Sequence, residues 1–138
     1  MADRDNWNQN IINEFHSNDG KVGGMFEGQP LLLLHTVGRR SGKERVNPLM
    51  YQQRGDDYVV FASKGGAPEN PDWYYNLISN PEASIEVGKK TISVRGYMVQ
   101  GDERDKIWKS WTREFPQFAE YEEKTDREIP VIRLEPES

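Results

Sequence analysis

Four basic side chains lie within one eight-residue stretch of an otherwise acidic chain. Residues 38–45 read GRRSGKER, with one glutamate among them, whereas the 138 residues together carry a net charge of −5. Arginine forks, a serine hydroxyl and the amides of a glycine turn can converge on the oxygens of a phosphate or a carboxylate. The stretch therefore predicts an anion site, with a solvated basic turn that makes surface ion pairs as the alternative.

A second candidate follows a predicted strand at residues 63–66, which read SKGG. Ser63 offers a hydroxyl and Lys64 a cation, and the two glycines allow a ligand to approach the backbone closely. A plain flexible loop is the alternative interpretation. The aromatic run of Trp73, Tyr74 and Tyr75 is also open to two interpretations, because it could line a planar ligand or belong to the core.

Several familiar catalytic patterns are missing from the sequence. A Walker A loop reads G-x-x-x-x-G-K-[ST], whereas this chain has one residue fewer between Gly38 and Gly42 and has Glu44 in place of the final hydroxyl residue. The absence of cysteine excludes disulfides and thiol nucleophiles. His16 and His35 fit no metal-binding spacing, so both are interpreted as structural and no metal is expected. The negative charge argues against nucleic acid as a partner.

Length and composition indicate one folded domain over residues 1–138. The mean hydropathy is low, at −0.89, but four tryptophans, six tyrosines and five phenylalanines supply the burial that disordered chains lack. No apolar run approaches the roughly 20 residues of a membrane span, and the N-terminus lacks the plan of a signal peptide. A cytoplasmic location is therefore expected.

The elements that must position these residues follow from the hydrophobic pattern. Apolar residues at helical spacing predict an amphipathic helix at 5–18, within an N-terminal segment 1–20, and further helices at 73–79, capped by Asp72, and from 102 to a break at Phe115–Pro116. Six strands are predicted at 31–37, 44–54, 58–63, 83–87, 91–99 and 129–134. Pro48 indicates that the second strand is an edge strand or is bulged. The pattern predicts a mainly β fold with flanking helices, a six-stranded antiparallel β-barrel over residues 30–135.

Short motifs in a fixed order give the sequence a resemblance to a known family. They read GRRSG at 38–42, RVNPL at 45–49, ASKGGAP at 62–68, NP at 70–71 before WY at 73–74 and NL at 76–77, and NP at 80–81. Together they resemble the deazaflavin-dependent nitroreductase family over residues 31–134. The resemblance implies a split β-barrel related to FMN-binding barrels, coenzyme F420 as the cofactor, and hydride transfer from the reduced coenzyme to a quinone, a nitroaromatic or an activated enone.

The resemblance also assigns roles to residues. Ser63 and Tyr121 receive catalytic roles, Ser63 by a hydrogen bond near the reacting edge of the deazaflavin, although no general acid is obvious. Contacts to the phosphate and the tail of the coenzyme fall on Arg39, Arg40, Ser41 and Arg45. Contacts to the deazaflavin fall on Val46, Asn47, Pro48, Leu49, Met50, Phe61, Ala62, Ser63, Lys64, Asp72, Trp73, Tyr74, Tyr75 and Asn76.

The substrate side departs from the family pattern. Phe115, Phe118 and Tyr121 are expected at the substrate. Some members carry tyrosines where this chain has Met50, Phe115 and Phe118, and only Tyr121 is kept, so the lost hydroxyls make bulky nitroimidazoles doubtful substrates. Three alternatives stay open: a non-catalytic F420 carrier, an FMN-binding split-barrel oxidoreductase, and a module without cofactor. The expected partner is a small-molecule acceptor, and the chain is a monomer or a homodimer. The helix in 1–20 could cover the substrate mouth, touch a membrane peripherally or pack on a partner, but its few lysines and arginines favour packing on the barrel.

Overall fold

The computed structural model describes residues 2–18, 20–21, 30–63, 69–125 and 127–137, with side chains in the first helix from residue 9 onward. The predicted strand and helix content is confirmed. The elements in chain order are α1 Ala2–Ser17, β1 Leu31–Val37, β2 Glu44–Arg54, β3 Asp57–Phe61, α2 Asp72–Ser79, β4 Glu82–Val87, β5 Lys90–Val99, α3 Gly101–Glu114, α4 Gln117–Glu123 and β6 Val131–Pro136.

The strands form a closed antiparallel barrel in the order β1-β2-β3-β6-β5-β4, which confirms the predicted fold class. The barrel consists of a β1–β3 half and a β4–β6 half. The halves meet at two short seams, with four residue pairs between β3 and β6 and three between β1 and β4.

β2 changes its partner part-way along its length. Its first seven residues pair with β1, and the remaining residues, Tyr51 to Arg54, pair with β3. Pro48 lies opposite Leu33 of β1, in the part that has no pairing to β3. The predicted edge character therefore applies to this part of β2 only, where a missing amide donor leaves the β2–β3 ladder intact.

The interior of the barrel follows the alternation of side chains along each strand. Leu32 and Leu34 of β1 belong to the interior cluster, whereas Leu31 and Leu33 face outward. The helix α2 contributes to the same interior cluster through three buried side chains, Trp73, Tyr74 and Leu77. The core interpretation of Trp73 and Tyr74 is thereby favoured over that of exposed ligand walls.

Two helical layers cover the outside of the barrel. The helices α3 and α4 pack on β3, β5 and β6 in an aromatic cluster, where Trp111 stacks on Phe61 with ring centroids 4.4 Å apart and planes 16° apart. The helix α1 packs on β1 and β2 through Ile11, Ile12 and Phe15. The predicted packing of this helix on the barrel is therefore observed, and no described helix has the length and apolarity needed to span a bilayer.

A carboxylate between two histidines also holds α1 to the barrel. Glu86 of β4 is hydrogen-bonded through one oxygen to His16 of α1, at 2.8 Å, and through the other to His35 of β1. His35 also lies 3.3 Å from a carboxylate oxygen of Glu44. The two histidines are distant in sequence but meet at one carboxylate, which supports their structural interpretation.

Some predicted boundaries were wrong, and the causes are local. Asp72 is the first residue of α2 and not its cap, because Pro71 occupies the N-cap position without a side-chain hydrogen bond. β6 begins at Val131 and not at 129, because Pro130 cannot donate to a ladder. β3 consequently ends at Phe61 and not at 63, with one further bond from the Ala62 amide to the Pro130 carbonyl at 3.0 Å.

Candidate functional site

The basic stretch forms a compact turn between β1 and β2. The Gly38 amide donates to the Lys43 carbonyl at 2.8 Å, the Gly42 amide donates to the Gly38 carbonyl at 2.9 Å, and the Lys43 amide donates to Ser41 Oγ at 3.2 Å. A Cβ at position 38 would lie 2.6 Å from Ser41 Oγ, and Gly42 has a φ of +69°. Both positions therefore favour glycine, and hydrogen bonds within the turn fix its shape.

Three of the four cations of residues 38–45 are available to a ligand. Arg40, Lys43 and Arg45 are exposed, and none of them makes a side-chain hydrogen bond or ion pair within the part of the chain that the structure describes. A basic turn built for surface ion pairs would have carboxylates beside these groups. The arrangement favours the anion site over the solvated-turn alternative.

Arg39 differs from its neighbours because it joins the turn to α2. Its backbone N–H and its guanidinium donate to Asn76 Oδ1 at 3.1 Å and 3.4 Å. The guanidinium lies 5.0 Å from the ring centroid of Tyr75 and 4.0 Å from Asp72 Oδ1. Asn76 is buried and also donates to Thr36 Oγ1 at 3.3 Å. The first turns of α2 are thereby fixed against the basic turn.

The end of β3 is held by a residue that the sequence analysis missed. Arg127 donates to the Ala62 carbonyl at 3.1 Å, to the Ser63 carbonyl at 2.8 Å and to Asn70 Oδ1 at 2.7 Å. Burial lowers the pKa of Arg127, although Tyr75 and Glu69 act in the opposite direction. Nothing in the stretch around residue 127 distinguishes this arginine, because its partners are more than fifty positions away.

Of the predicted site residues, the structure connects Ser63 and Arg39 with the start of α2. Asn70 donates to the Tyr75 hydroxyl at 3.5 Å, so contacts run from Arg127 through Asn70 and Tyr75 to Arg39. Ser63 is buried, at 8% exposure. Lys64 lies outside the described residues. The site is thus a surface formed by turn 38–43, the end of β3 and the first turns of α2.

The stretch predicted to line the deazaflavin is divided between two faces of the sheet. Leu49 packs against the interior cluster, whereas Val46 and Met50 pack outside against α1. Asn47 and Pro48 are half-buried between them. Phe61 and Ala62 are divided in the same way, outside and inside. A planar ligand bound on one face of the sheet could therefore contact only alternate members of each stretch.

The predicted substrate residues lie at the junction of α3 and α4. Phe115 and Phe118 are 8% and 7% exposed, with ring centroids 4.4 Å and 5.1 Å from that of Trp111. Tyr121 is half-buried at the edge of this cluster, 5.2 Å from Phe118 between ring centroids. Met50 packs against both outer clusters, which joins the α4 side to the surface under α1.

Comparison with known families agrees with this arrangement. The sequence model of the F420H(2)-dependent quinone reductases matches residues 7–136, which is nearly the whole chain. The chain belongs to this family. Membership confirms the predicted class of enzyme, an oxidoreductase, and the predicted cofactor, coenzyme F420.

Individual members of the family are similar over most of their length. An F420H(2)-dependent quinone reductase of Mycobacterium tuberculosis is 36% identical over 124 residues, which cover 87% of this chain and 83% of the relative. A solved F420-H2 dependent reductase is 41% identical, with a TM-score of 0.71 over 77% of this chain and 94% of its own. Another solved relative, described as a domain-swapped dimer, is 38% identical, with a TM-score of 0.73 over 92% of this chain and 93% of its own.

The described residues fit the cofactor of this family. Coenzyme F420 carries an anionic phosphate and tail, and residues 38–45 offer Arg40, Lys43 and Arg45, which are unpaired within the described chain, on and beside a hydrogen-bonded turn. The aromatic ring of Tyr75 adjoins this turn through Arg39, and the buried end of β3 is connected to Tyr75 through Arg127 and Asn70.

Proposed function

We propose that this protein transfers a hydride from reduced coenzyme F420 to a quinone. The observation that carries the proposal is a group of cations, Arg40 and Lys43 on the turn and Arg45 at the start of β2, that have no partner among the described residues of a chain of net charge −5. Nitroaromatics and activated enones are proposed as further acceptors of the same site.

The protein's own contribution is binding and orientation. The bound coenzyme supplies the hydride. Arg40 and Arg45 hold the phosphate and tail by charge-assisted hydrogen bonds, and Ser41 Oγ, which already accepts from the Lys43 amide, still has a proton to donate. Arg39 serves the site differently, since its bonds to Asn76 fix the position of the turn.

Ser63 and Tyr121 are the proposed hydrogen-bond donors at the reacting atoms. Ser63 lies at the end of β3, where both neighbouring carbonyls are anchored by Arg127. Tyr121 is the substrate-side hydroxyl, and a quinone that accepts a hydride must also take up a proton. Phe118 packs against the Tyr121 ring, with centroids 5.2 Å apart, and is itself almost fully buried.

The test compares two cofactors and then follows turnover. A fluorescence titration with F420, and a parallel one with FMN, should show binding of F420 alone. Addition of menadione to the protein with reduced F420 should then consume the reduced coenzyme at a rate proportional to protein concentration. Tight F420 binding without turnover of menadione or a nitroaromatic would favour the non-catalytic carrier. Binding of FMN in preference to F420 would favour the FMN-dependent alternative.

A further inference from the structure

The side chain of Arg127 donates hydrogen bonds to the end of β3, beyond the last residue pair of the β3–β6 ladder. The β3–β6 ladder ends at the pair of Phe61 and Val131, and one more bond joins the Ala62 amide to the Pro130 carbonyl at 3.0 Å. Beyond this point β6 has no residue opposite β3, because its first strand residue is Val131. The carbonyls of Ala62 and Ser63 receive their hydrogen bonds from the two terminal nitrogens of Arg127 instead, at 3.1 Å and 2.8 Å.

This anchoring matters because the strand end is buried. Ala62 is fully buried and Ser63 is 8% exposed, so their carbonyls depend on a protein donor. The planar guanidinium can serve two successive carbonyls at once, which a single ammonium cannot do with the same geometry. The direction of the Ser63 backbone, and with it the position of the Ser63 hydroxyl, is therefore set by Arg127.

The same guanidinium is connected to the other side of the site. One of its nitrogens also donates to Asn70 Oδ1 at 2.7 Å, and Asn70 Nδ2 donates to the Tyr75 hydroxyl at 3.5 Å. The Tyr75 ring in turn carries the guanidinium of Arg39 at 5.0 Å. One side chain from the segment before β6 thus touches β3 directly and reaches the basic turn through two intermediates.

We propose that Arg127 is a positioning residue for the F420 site, which holds the Ser63 strand end and the Tyr75 side of α2 in one fixed relation. The inference rests on the proposed function, since it assigns Ser63 and the basic turn to the same cofactor. Arg127 itself is not proposed to touch the reacting atoms.

The test uses the variants Arg127→Met and Arg127→Lys, with Arg133→Met as the matched control. Arg133 also bridges distant elements, with bonds to Asp57 at 2.6 Å and to Glu103 at 2.8 Å, but it serves the opposite end of β3. Three quantities are measured for each protein: the dissociation constant for F420, kcat and KM with menadione, and hydrogen exchange of residues 58–63 and 70–76 without cofactor.

Arg127→Met is expected to weaken F420 binding about tenfold and to lower kcat about 100-fold, because small misplacements of reacting groups cost rates of that order. Exchange of both segments should rise. Arg127→Lys should recover part of the lost kcat, since it keeps the positive charge and one donor nitrogen. Arg133→Met should leave the F420 affinity, kcat and exchange at 70–76 unchanged, even if it lowers the unfolding temperature as much as Arg127→Met does.

The outcomes separate this inference from the proposed function. Normal kcat and affinity in Arg127→Met, with an active wild type, would overturn the positioning role alone. A wild type that binds F420 but reduces no acceptor would overturn the reductase proposal, while a tenfold weaker affinity in Arg127→Met would still support the positioning role. A wild type that binds no F420 would overturn both.

Discussion

Asn76 accepts two hydrogen bonds from Arg39 on a single oxygen, one from the backbone N–H at 3.1 Å and one from the guanidinium at 3.4 Å. The amide nitrogen of Asn76 meanwhile donates to Thr36. One buried side chain on α2 therefore fixes the position of the turn between β1 and β2, which links the core of the barrel to the anion site.

Replacement of this side chain should affect both stability and cofactor binding. Asn76→Leu removes the acceptor of a backbone N–H and leaves Thr36 without its partner, and such buried losses cost about 1–3 kcal/mol. We expect a fall of that size in the free energy of unfolding, measured in urea, and weaker binding of F420. Asn80→Ala is the control, because Asn80 is exposed and caps only the Glu82 amide. Equal losses in the two variants would contradict the special role of Asn76.

The cations of the basic turn should contribute to binding without contributing to stability. Arg40→Ala and Arg45→Ala are each expected to weaken F420 binding by about 1.5–3 kcal/mol, the range of hydrogen bonds to charged groups. Neither should lower the unfolding temperature, because neither side chain is paired within the described chain. A fluorescence titration checks the first expectation and thermal unfolding the second. Lys90→Ala, at an exposed position of β5, should change neither the F420 affinity nor the unfolding temperature. Unchanged F420 affinity in both arginine variants would contradict the assignment of these residues to the phosphate.

Glu86 should make the stability of the fold depend on pH in the acid range. Burial raises its pKa, but hydrogen bonds from His35 and His16 outweigh burial, and the resulting pKa lies below the ordinary glutamate value of 4.5. Because the native pKa is lowered, the stabilisation is present above pH 4.5 and is lost as the pH falls through the lowered pKa.

The variant Glu86→Gln measures this contribution. At about pH 6 it should be less stable than the wild type by about 1.5 kcal/mol, the lower bound for hydrogen bonds to a charged group. The difference should shrink below pH 4.5, as Glu86 of the wild type takes up its proton. Urea unfolding at several pH values gives the curve. Glu82→Gln on the same strand is the control, since both side chains of its ion pair with Arg95 are exposed. A stability difference between wild type and Glu86→Gln that stays constant with pH would argue against the assignment.

Gly20, which follows the end of α1, lies too close to the β4–β5 turn to carry a side chain without strain. Gly20 has a φ of +92°, and a Cβ there would lie 2.7 Å from the backbone Cα of Gly88. Gly20→Ala should therefore cost about 1–2 kcal/mol for its backbone conformation and about 1–3 kcal/mol more for overpacking. Gly55→Ala is the matched control, with a φ of +62° but open space around it. Chemical denaturation compares the two, and equal costs would show that α1 shifts freely.

Much of the fold could be predicted because its signals are local. The bounds of β1 and β2 were correct, since an apolar or alternating run ends at a glycine turn in each case. The ends of β3 and β6 were not, because they depend on the pairing of Ala62 with Pro130, two residues that are far apart in sequence.

The site shows the same division between local and distant information. The composition of 38–45 was sufficient to predict an anion site, because the turn is formed by the residues that bind. Arg127 could not be found in this way, since an arginine among polar residues has no local feature that marks its long-range carbonyl partners. The division of residues 46–50 between two faces could be seen only in the structure. The motif identifies these residues but does not say which of them share a face of the sheet.

The three residue pairs between β1 and β4 make this seam the shortest of the barrel. His35 and Glu86 lie on either side of this seam, so their hydrogen bond adds a side-chain link to its short ladder. Opening of the seam would leave two strand edges without partners, and such edges can pair with those of another chain. In the Glu86→Gln variant, the oligomeric state should therefore depend more strongly on protein concentration than in the wild type.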